Sequence, residues 1–440
     1  MFREPDTLIG LGVGTTKIAV IVAERDPRSR DIVQIIGIGS TPSLGIRKGL
    51  IVNLEQAVRS VRNAVKDAEN MVGFKLSQAM VSFNAIDVNS VMSRGMVSLG
   101  LRARPVEVED VERVIEAAQT ELSIPANKVA LHTIPVRYSI DGNFGIDDPL
   151  GMTGMRLEME LQTITVPMPY VHNVVNCVEA SGIEVEGLVI KPITSALGAL
   201  TEEEMRIGAI SLCIGGGTTG LTFYRDGRPV KVGIVPIGGD HITNDLASVL
   251  RLPLNKAEEL KKRLFAAEND DLIKLDSKGQ QQRAIDPNMA LEVIGCRLEE
   301  LFTEHVAPLI PEHDPKLFPG GFILSGGVAK TPGIEDLLSD IFKMPVRVAD
   351  PRDSYHQMPP GRDDTSYINA TGTIRYMLSK ERNPYRFIDS PVSLWRGGSR
   401  RGSRVSRHTN DQRDYPEPQR AGEGMKNMWE RFKELTKELF

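Results

Sequence analysis

The chain has 440 residues, 41% of them hydrophobic and 25% charged. That composition belongs to a folded protein of about three domains and excludes wholesale disorder. A formal net charge of -5 gives it no electrostatic pull toward nucleic acid.

Thr7 to Leu11 and Ile18 to Ala23 are apolar runs flanking Gly12, Gly14, Thr15 and Thr16, which predicts strand, tight turn, strand. Ile32 to Gly39 predicts a third strand. Leu54, Ala57, Val58, Val61, Ala64, Val65 and Ala68 form a helical stripe, and Gln78 to Phe83 returns to strand. From about Ala85 short strand-like pieces surround one helix, Val106 to Glu121, and predict an inserted α+β module ending near Ile164. A helix at Thr194 to Leu200 is expected to be ended by the acidic run Thr201 to Glu204. The opening pattern then repeats: Ile210 to Ile214, the turn Gly215 to Gly220, and Leu221 to Tyr224. A duplicated α/β core follows, each half with its own Gly/Thr hairpin. Phe322 to Leu324 followed by Ser325, Gly326 and Gly327 adds a third strand-to-glycine turn.

Gly10, Gly12 and Gly14 do not make a dinucleotide fingerprint, because Thr15 stands at the third glycine and the turn enters a strand instead of a helix. No GxxxxGK[ST] occurs, so the chain has no P-loop. Two matched hairpins whose backbone N–H groups and Thr hydroxyls cup phosphates from two sides are the economical reading. The seven histidines show no HExxH or paired spacing, which argues against a metal centre. No GxSxG nucleophile occurs. Three distant cysteines, Cys177, Cys213 and Cys296, form no CxxC and point to a reducing compartment. The start has no apolar signal region, and no run approaches the ~18 apolar residues of a membrane span, so the chain is expected to stay in the cytosol.

The tail has its own character. Residues 389–424 are rich in Arg, Gly, Ser, Pro and Gln and are expected to form a disordered linker. Beyond it, at 100° per residue, Met425, Met428, Trp429, Phe432, Leu435, Leu439 and Phe440 share one helix face, and charged residues fill the other. Such a helix can dock on its own body or lie in a membrane interface. The long tether and the aromatic apolar face favour the membrane.

The strings VPIGGDHITNDLA (Val235 to Ala247), LHTIPVRYSIDG (Leu131 to Gly142), DDPLGMTGMRLE (Asp147 to Glu158), KAEELK (Lys256 to Lys261) and ILSGGVAKTPGI (Ile323 to Ile334) closely resemble the bacterial cell-division family FtsA. The resemblance implies an α/β, actin/Hsp70-type duplicated ATPase fold with an inserted subdomain 1C. It divides the chain into subdomain 1A (1–84, 165–208 and a closing helix at 361–388), 1C (85–164), 2A (209–238 and 319–360), 2B (239–318), the linker 389–424 and a membrane-targeting helix at 425–440. It implies ATP in the cleft, with phosphate contacts at Gly14, Thr15, Thr16, Gly216, Gly217 and Thr218. Gly239 would approach from the other side, Glu258 and Lys261 would reach ribose and base, and Gly326 and Gly327 would pass the adenine. The implied partners are the C-terminal tail of FtsZ, further copies of the chain in filaments, membrane lipids on the cytoplasmic face, and other division proteins through subdomain 1C. Arg297, Glu300 and Glu304, at i, i+3 and i+7 of a helix at Leu291 to His305, match the FtsZ-docking positions. An actin-fold pilus-assembly protein of the PilM type is the alternative.

The chain departs from the family where acids are expected. It reads LGVGT and CIGGGT where the family reads LDIGT and DIGGGT, and a further acid is Gly220 here. The phosphate cradles should survive, while Mg²⁺ positioning and hydrolysis should weaken. Asp240 or the phosphates themselves are left to hold the ion. ATP is therefore expected as a structural ligand, with little or no turnover.

Overall fold

The computed structural model describes residues 6–26, 29–266, 273–275, 283–310, 317–351, 358, 365–383 and 385–392. Of these, residues 6–91, 124–134 and 163–392 belong to one compact unit, and 92–123 and 135–162 to another.

The first unit opens with β1 (Thr7–Val13), β2 (Lys17–Asp26), β3 (Ser29–Pro42), α1 (Leu54–Val72) and β4 (Gln78–Phe83). The second is built mainly from β5 (Asn89–Ser98), α2 (Val108–Thr120), β6 (Lys128–Ile140), β7 (Asn143–Ile146) and β8 (Arg156–Pro167). The first unit resumes with α3 (Met168–Ala180), β9 (Glu184–Ile190), α4 (Lys191–Ala199) and α5 (Glu202–Ile207). Next come β10 (Ala209–Ile214), β11 (Thr219–Arg225), β12 (Arg228–Val235), α6 (Gly239–Val249), α7 (Leu254–Phe265) and α8 (Pro287–Glu300). β13 (Phe322–Ser325), α9 (Ile334–Phe342), β14 (Val346–Val348), α10 (Ile368–Arg382) and β15 (Ile388–Asp389) follow.

The duplication is plain in the strand order. One sheet runs β9-β4-β1-β2-β3 and the other β14-β13-β10-β11-β12. In each, three parallel strands adjoin two antiparallel ones: β1 pairs parallel with β4, and β4 with β9, while β10 pairs parallel with β13, and β13 with β14. In an α/β sheet the carboxyl ends of parallel strands are where ligands bind. Here those ends carry Gly14, Asn84 and Lys191 in one half, and Gly215 and Gly326 in the other.

α1 follows its sequence closely. Asn53 caps it by accepting the Gln56 N–H at 3.0 Å, and Gly73 ends it with φ 82°, a conformation glycine adopts without strain. Its buried face, Ala57, Ser60, Val61, Ala64, Val65 and Ala68, packs on β3 so closely that a Cβ on Gly39 would overlap the Ala64 carbonyl. In the second unit, Asp110 accepts two bonds from Arg104 (2.6 and 2.8 Å), one from Arg113 (3.1 Å) and the Glu107 N–H (3.0 Å). These bonds fasten the start of α2, with the Arg104 bonds first among the causes that hold the Asp110 carboxyl below its ordinary value.

Residues 124–134, inside the expected inserted module, pack with the first unit; His132, fully buried in that stretch, bonds Asp389 and Ile190. Three expectations change. The acidic run after α4 starts a helix instead of ending one. Thr201 Oγ1 accepts the Glu204 N–H at 3.2 Å and Glu204 accepts the Thr201 N–H at 2.8 Å, a reciprocal cap that opens α5. The helix expected at Leu291 to His305 is α-helical only to Glu300 and continues as a π-helical turn, Leu301–Val306. The chain also does not leave the body at Asp389: β15 pairs with β6 at Ile388–Thr133 and Asp389–His132. The remaining linker residues and the whole 425–440 segment lie outside the described residues.

Candidate functional site

The two Gly/Thr turns meet face to face. A Cβ on Gly216 would overlap Thr16 Cγ2, and one on Gly217 would lie 2.8 Å from Thr15 Cγ2, so only glycine lets the turns approach. Thr15 Oγ1 accepts the Gly49 N–H at 2.9 Å, and Thr218 Oγ1 accepts Asn84 Nδ2 at 2.7 Å. Each hydroxyl therefore keeps its proton to donate to an anion. Gly239 and Asp240 donate their N–H groups to Gly215 and Gly216 carbonyls at 2.9 and 2.7 Å. Gly239 thus buttresses the second turn, with its own N–H already used.

Beside that turn lies a closed polar knot. Lys261, almost fully buried, reaches Glu258 at 2.6 Å, Thr243 Oγ1 at 2.7 Å and the Gly239 carbonyl at 3.0 Å. Thr243 bonds Glu258 at 2.6 Å. Burial pushes the Glu258 carboxyl up, but the adjoining Lys261 ammonium and the bonds it receives bring it below its ordinary value. Asp240 lacks such bonds, and burial raises it despite the nearby Lys261. Gly326, at φ 90°, presses on the Ile214 carbonyl, while Gly327 faces open space. Val328 Cγ2 lies 3.0 Å from where a Gly239 Cβ would stand. Gly239, Glu258, Lys261, Gly326 and Gly327 are therefore gathered on the second half, and Gly14, Thr15 and Thr16 face them from the first.

The acid-poor floor of the cleft has three members that sequence reasoning missed. A Cβ on Gly12 would stand 3.1 Å from Asn369 Oδ1, itself accepting Ser82 Oγ at 3.0 Å. Asn84 ties one turn to the other half. Lys191, first residue of α4, sets its Nζ 2.9 Å from the position of a Gly14 Cβ. A strand ending directly in Lys-Pro at the carboxyl edge was the available signal.

A divalent metal finds few donors here. Gly12, Cys213 and Gly220 supply no carboxylate, an ammonium stands over the first turn, and among the described residues no group of three or more His, Cys, Asp or Glu gathers. Mg²⁺ wants oxygen donors and water, and these residues do not fit it. The backbone and hydroxyl cradle does fit phosphate.

On the opposite side of α6, Arg297 is bidentate to Asp245 at 2.5 and 2.9 Å and also bonds Glu300 at 2.7 Å. The Asp245 bond is the main cause that raises its pKa. Arg297 therefore pins α8 to α6. Glu300 and Glu304 remain exposed, and the π turn shifts Glu304 off the simple i+7 line.

Two open sheets of matching order, each delivering a Gly/Thr turn to a shared cleft, define an actin-like ATPase fold. Solved structures agree on the fold: the PilM–PilN type IV pilus biogenesis complex (TM-score 0.55, 16% identity, covering 84% of this chain and 98% of that one) and ADP-bound MreB5 of Spiroplasma citri (TM-score 0.50, 16%, 87% and 100%). The family model for cell division protein FtsA matches residues 212–372, and that for the SHS2 domain inserted in FtsA matches 86–165. Cell division protein FtsA of Pseudomonas aeruginosa is 35% identical over 85% of this chain and 90% of its own length, and that of Bacillus subtilis is 34% identical over 85% and 84%. The chain belongs to the FtsA family of actin-like cell-division proteins. Its inserted unit is the SHS2 domain.

Proposed function

We propose that this chain holds adenine nucleotide in the cleft as a structural ligand, polymerises on the cytoplasmic face of the membrane and anchors FtsZ filaments there through subdomain 2B. The observation that carries this reading is the pair of matched phosphate turns within a chain of FtsA sequence. ATP bound to both halves favours the closed body by differential binding and so favours assembly. Hydrolysis is slow because Gly12 and Cys213 cannot orient hydrated metal or an attacking water, and losing such groups typically slows a reaction by ~10²–10⁴-fold. The terminal amphipathic segment supplies the membrane contact, and the exposed Glu300 and Glu304 supply charge-assisted contacts to the FtsZ tail. The SHS2 unit is free to engage other division proteins. A fluorescent fusion expressed in cells depleted of their own FtsA should gather at mid-cell in FtsZ rings. A fusion that never joins those rings contradicts this function and favours a pilus-assembly role.

A further inference from the structure

Lys191 is the unusual group of the cleft. It is half-buried, and burial pushes its pKa down to about 8 against a smaller upward pull from the Cys213 thiol. Among the described residues its Nζ has no hydrogen-bond or ion-pair partner. An ammonium withdrawn from water without a counter-charge is unfavourable, and proteins hold such groups where a ligand completes them. Its place is informative. The Nζ lies over Gly14, 2.9 Å from the position of a Cβ there, in the turn that points backbone donors at the cleft. The position opposite, on the second turn's strand, is Cys213, paired in register with Gly220 and Ser325. Carboxylates at 12, 213 or 220 would have neutralised the ammonium. All three are missing together, and the nearest polar neighbour of Gly12 is the neutral Asn369. Lys17, the cation of the first turn, is turned elsewhere: it bonds Ser366 Oγ at 2.8 Å and lies 3.3 Å above the Tyr367 ring.

We propose that Lys191 is a phosphate ligand that takes the place of a divalent metal, so that this cleft binds a nucleoside triphosphate or diphosphate without Mg²⁺. The inference rests on the nucleotide reading above. The ammonium sits where the anion's charge must be met, and none of positions 12, 213 and 220 offers a carboxylate to compete for it. A bound cation beside it would be repelled, whereas a bare polyphosphate is attracted. Three donors on one centre suit the several oxygens of a phosphate chain.

Calorimetry of the full chain with ATP, in excess Mg²⁺ and in EDTA, tests this with wild type, Lys191→Met and Lys191→Arg. Wild type should bind within about threefold in the two conditions. Lys191→Met should lose about 10- to 100-fold in EDTA, as expected for a charge-assisted bond, and Lys191→Arg should recover some of it. Because Lys191→Met also removes an unpaired ammonium, its ligand-free melting temperature should rise while its shift on adding ATP in EDTA shrinks. Wild-type binding that needs Mg²⁺, or Lys191→Met binding ATP in EDTA as wild type does, overturns the Lys191 assignment and leaves the nucleotide reading standing. No wild-type binding in either condition overturns both.

Discussion

Asp389 shows how much one side chain can fasten. It is nearly buried and accepts bonds from His132 Nδ1 at 2.6 Å, Tyr376 OH at 2.5 Å and Lys380 Nζ at 2.6 Å. His132 Nε2 accepts the Ile190 N–H at 3.1 Å, which fixes the ring proton on Nδ1 and aims it at Asp389. Burial works against the Asp389 charge, but His132 and Lys380 overcome it and hold its pKa below the ordinary carboxylate value. A carboxyl depressed in the folded state adds stability that is present above the unfolded pKa of about 3.9 and is lost as pH falls through the folded value. Asp389→Asn should therefore lower stability by about 3 kcal/mol at pH 7 and weaken the acid dependence, both read from urea unfolding at pH 7 and pH 3. An unaltered midpoint at pH 7 contradicts this account. Composition hid the residue, because Asp389 sits at the edge of a stretch that looks like linker, and its partners come from 257, 13 and 9 positions away. The family resemblance marks Arg297 only as a docking candidate, whereas its clamp joins it to Asp245, 52 positions away. Arg297→Glu should lower stability by about 1–2 kcal/mol, because the new carboxylate faces both Asp245 and Glu300, besides weakening FtsZ-peptide binding. Glu304→Lys should alter peptide binding alone, as calorimetry and thermal melts together will separate; if Glu304→Lys leaves peptide affinity unchanged, the docking face lies elsewhere.

Among the elements, α4 and α10 make the closest crossing. A Cβ on Gly372 would overlap the Thr194 carbonyl, and one on Gly198 would overlap that of Ile368. Asn369 Nδ2 bonds Thr194 Oγ1 at the same crossing. The crossing positions both Lys191 and Asn369 at the cleft. Gly372→Ala must push the two helix backbones apart, so it should cost about 3 kcal/mol or more and lower the main thermal transition by roughly 4–6 °C. A shift under about 2 °C in a scanning melt would show that the helices can slide apart freely. The hairpins, α1 and the duplication were readable because each carries a repeating or periodic signal. The crossing was not, since two glycines 174 positions apart (372 − 198) share no local pattern. Lys191 escaped for the same reason: a lone lysine after a strand acquires meaning only when Gly14 is brought beneath it. The acidic run Thr201 to Glu204 was misread because acids favour a helix start as well as a surface loop.

For the molecule as a whole, the proposed anchoring role requires the amphipathic pattern of residues 425–440 to give firm attachment. In the 425–440 segment four basic residues, Lys426, Arg431, Lys433 and Lys437, are set against three glutamates, Glu430, Glu434 and Glu438, so the charges nearly cancel and the proposed membrane contact would rest on apolar insertion. Seven apolar side chains at about 1 kcal/mol each give about 7 kcal/mol, reduced by helix ordering, and a monomer affinity around 10–100 μM. Polymerisation, as proposed, would multiply that contact through neighbouring subunits. Trp429→Glu combined with Phe432→Glu should free the chain from liposomes in flotation, and full retention would mean the helix docks on protein instead.

Sedimentation of FtsZ polymers with vesicles brings nucleotide, membrane and partner into one reading. With ATP and the full chain, FtsZ should pellet with the vesicles, and it should stay in the supernatant when the chain, the 425–440 segment or nucleotide is omitted. FtsZ left in solution while the folded chain and ATP are both present would contradict the anchoring role.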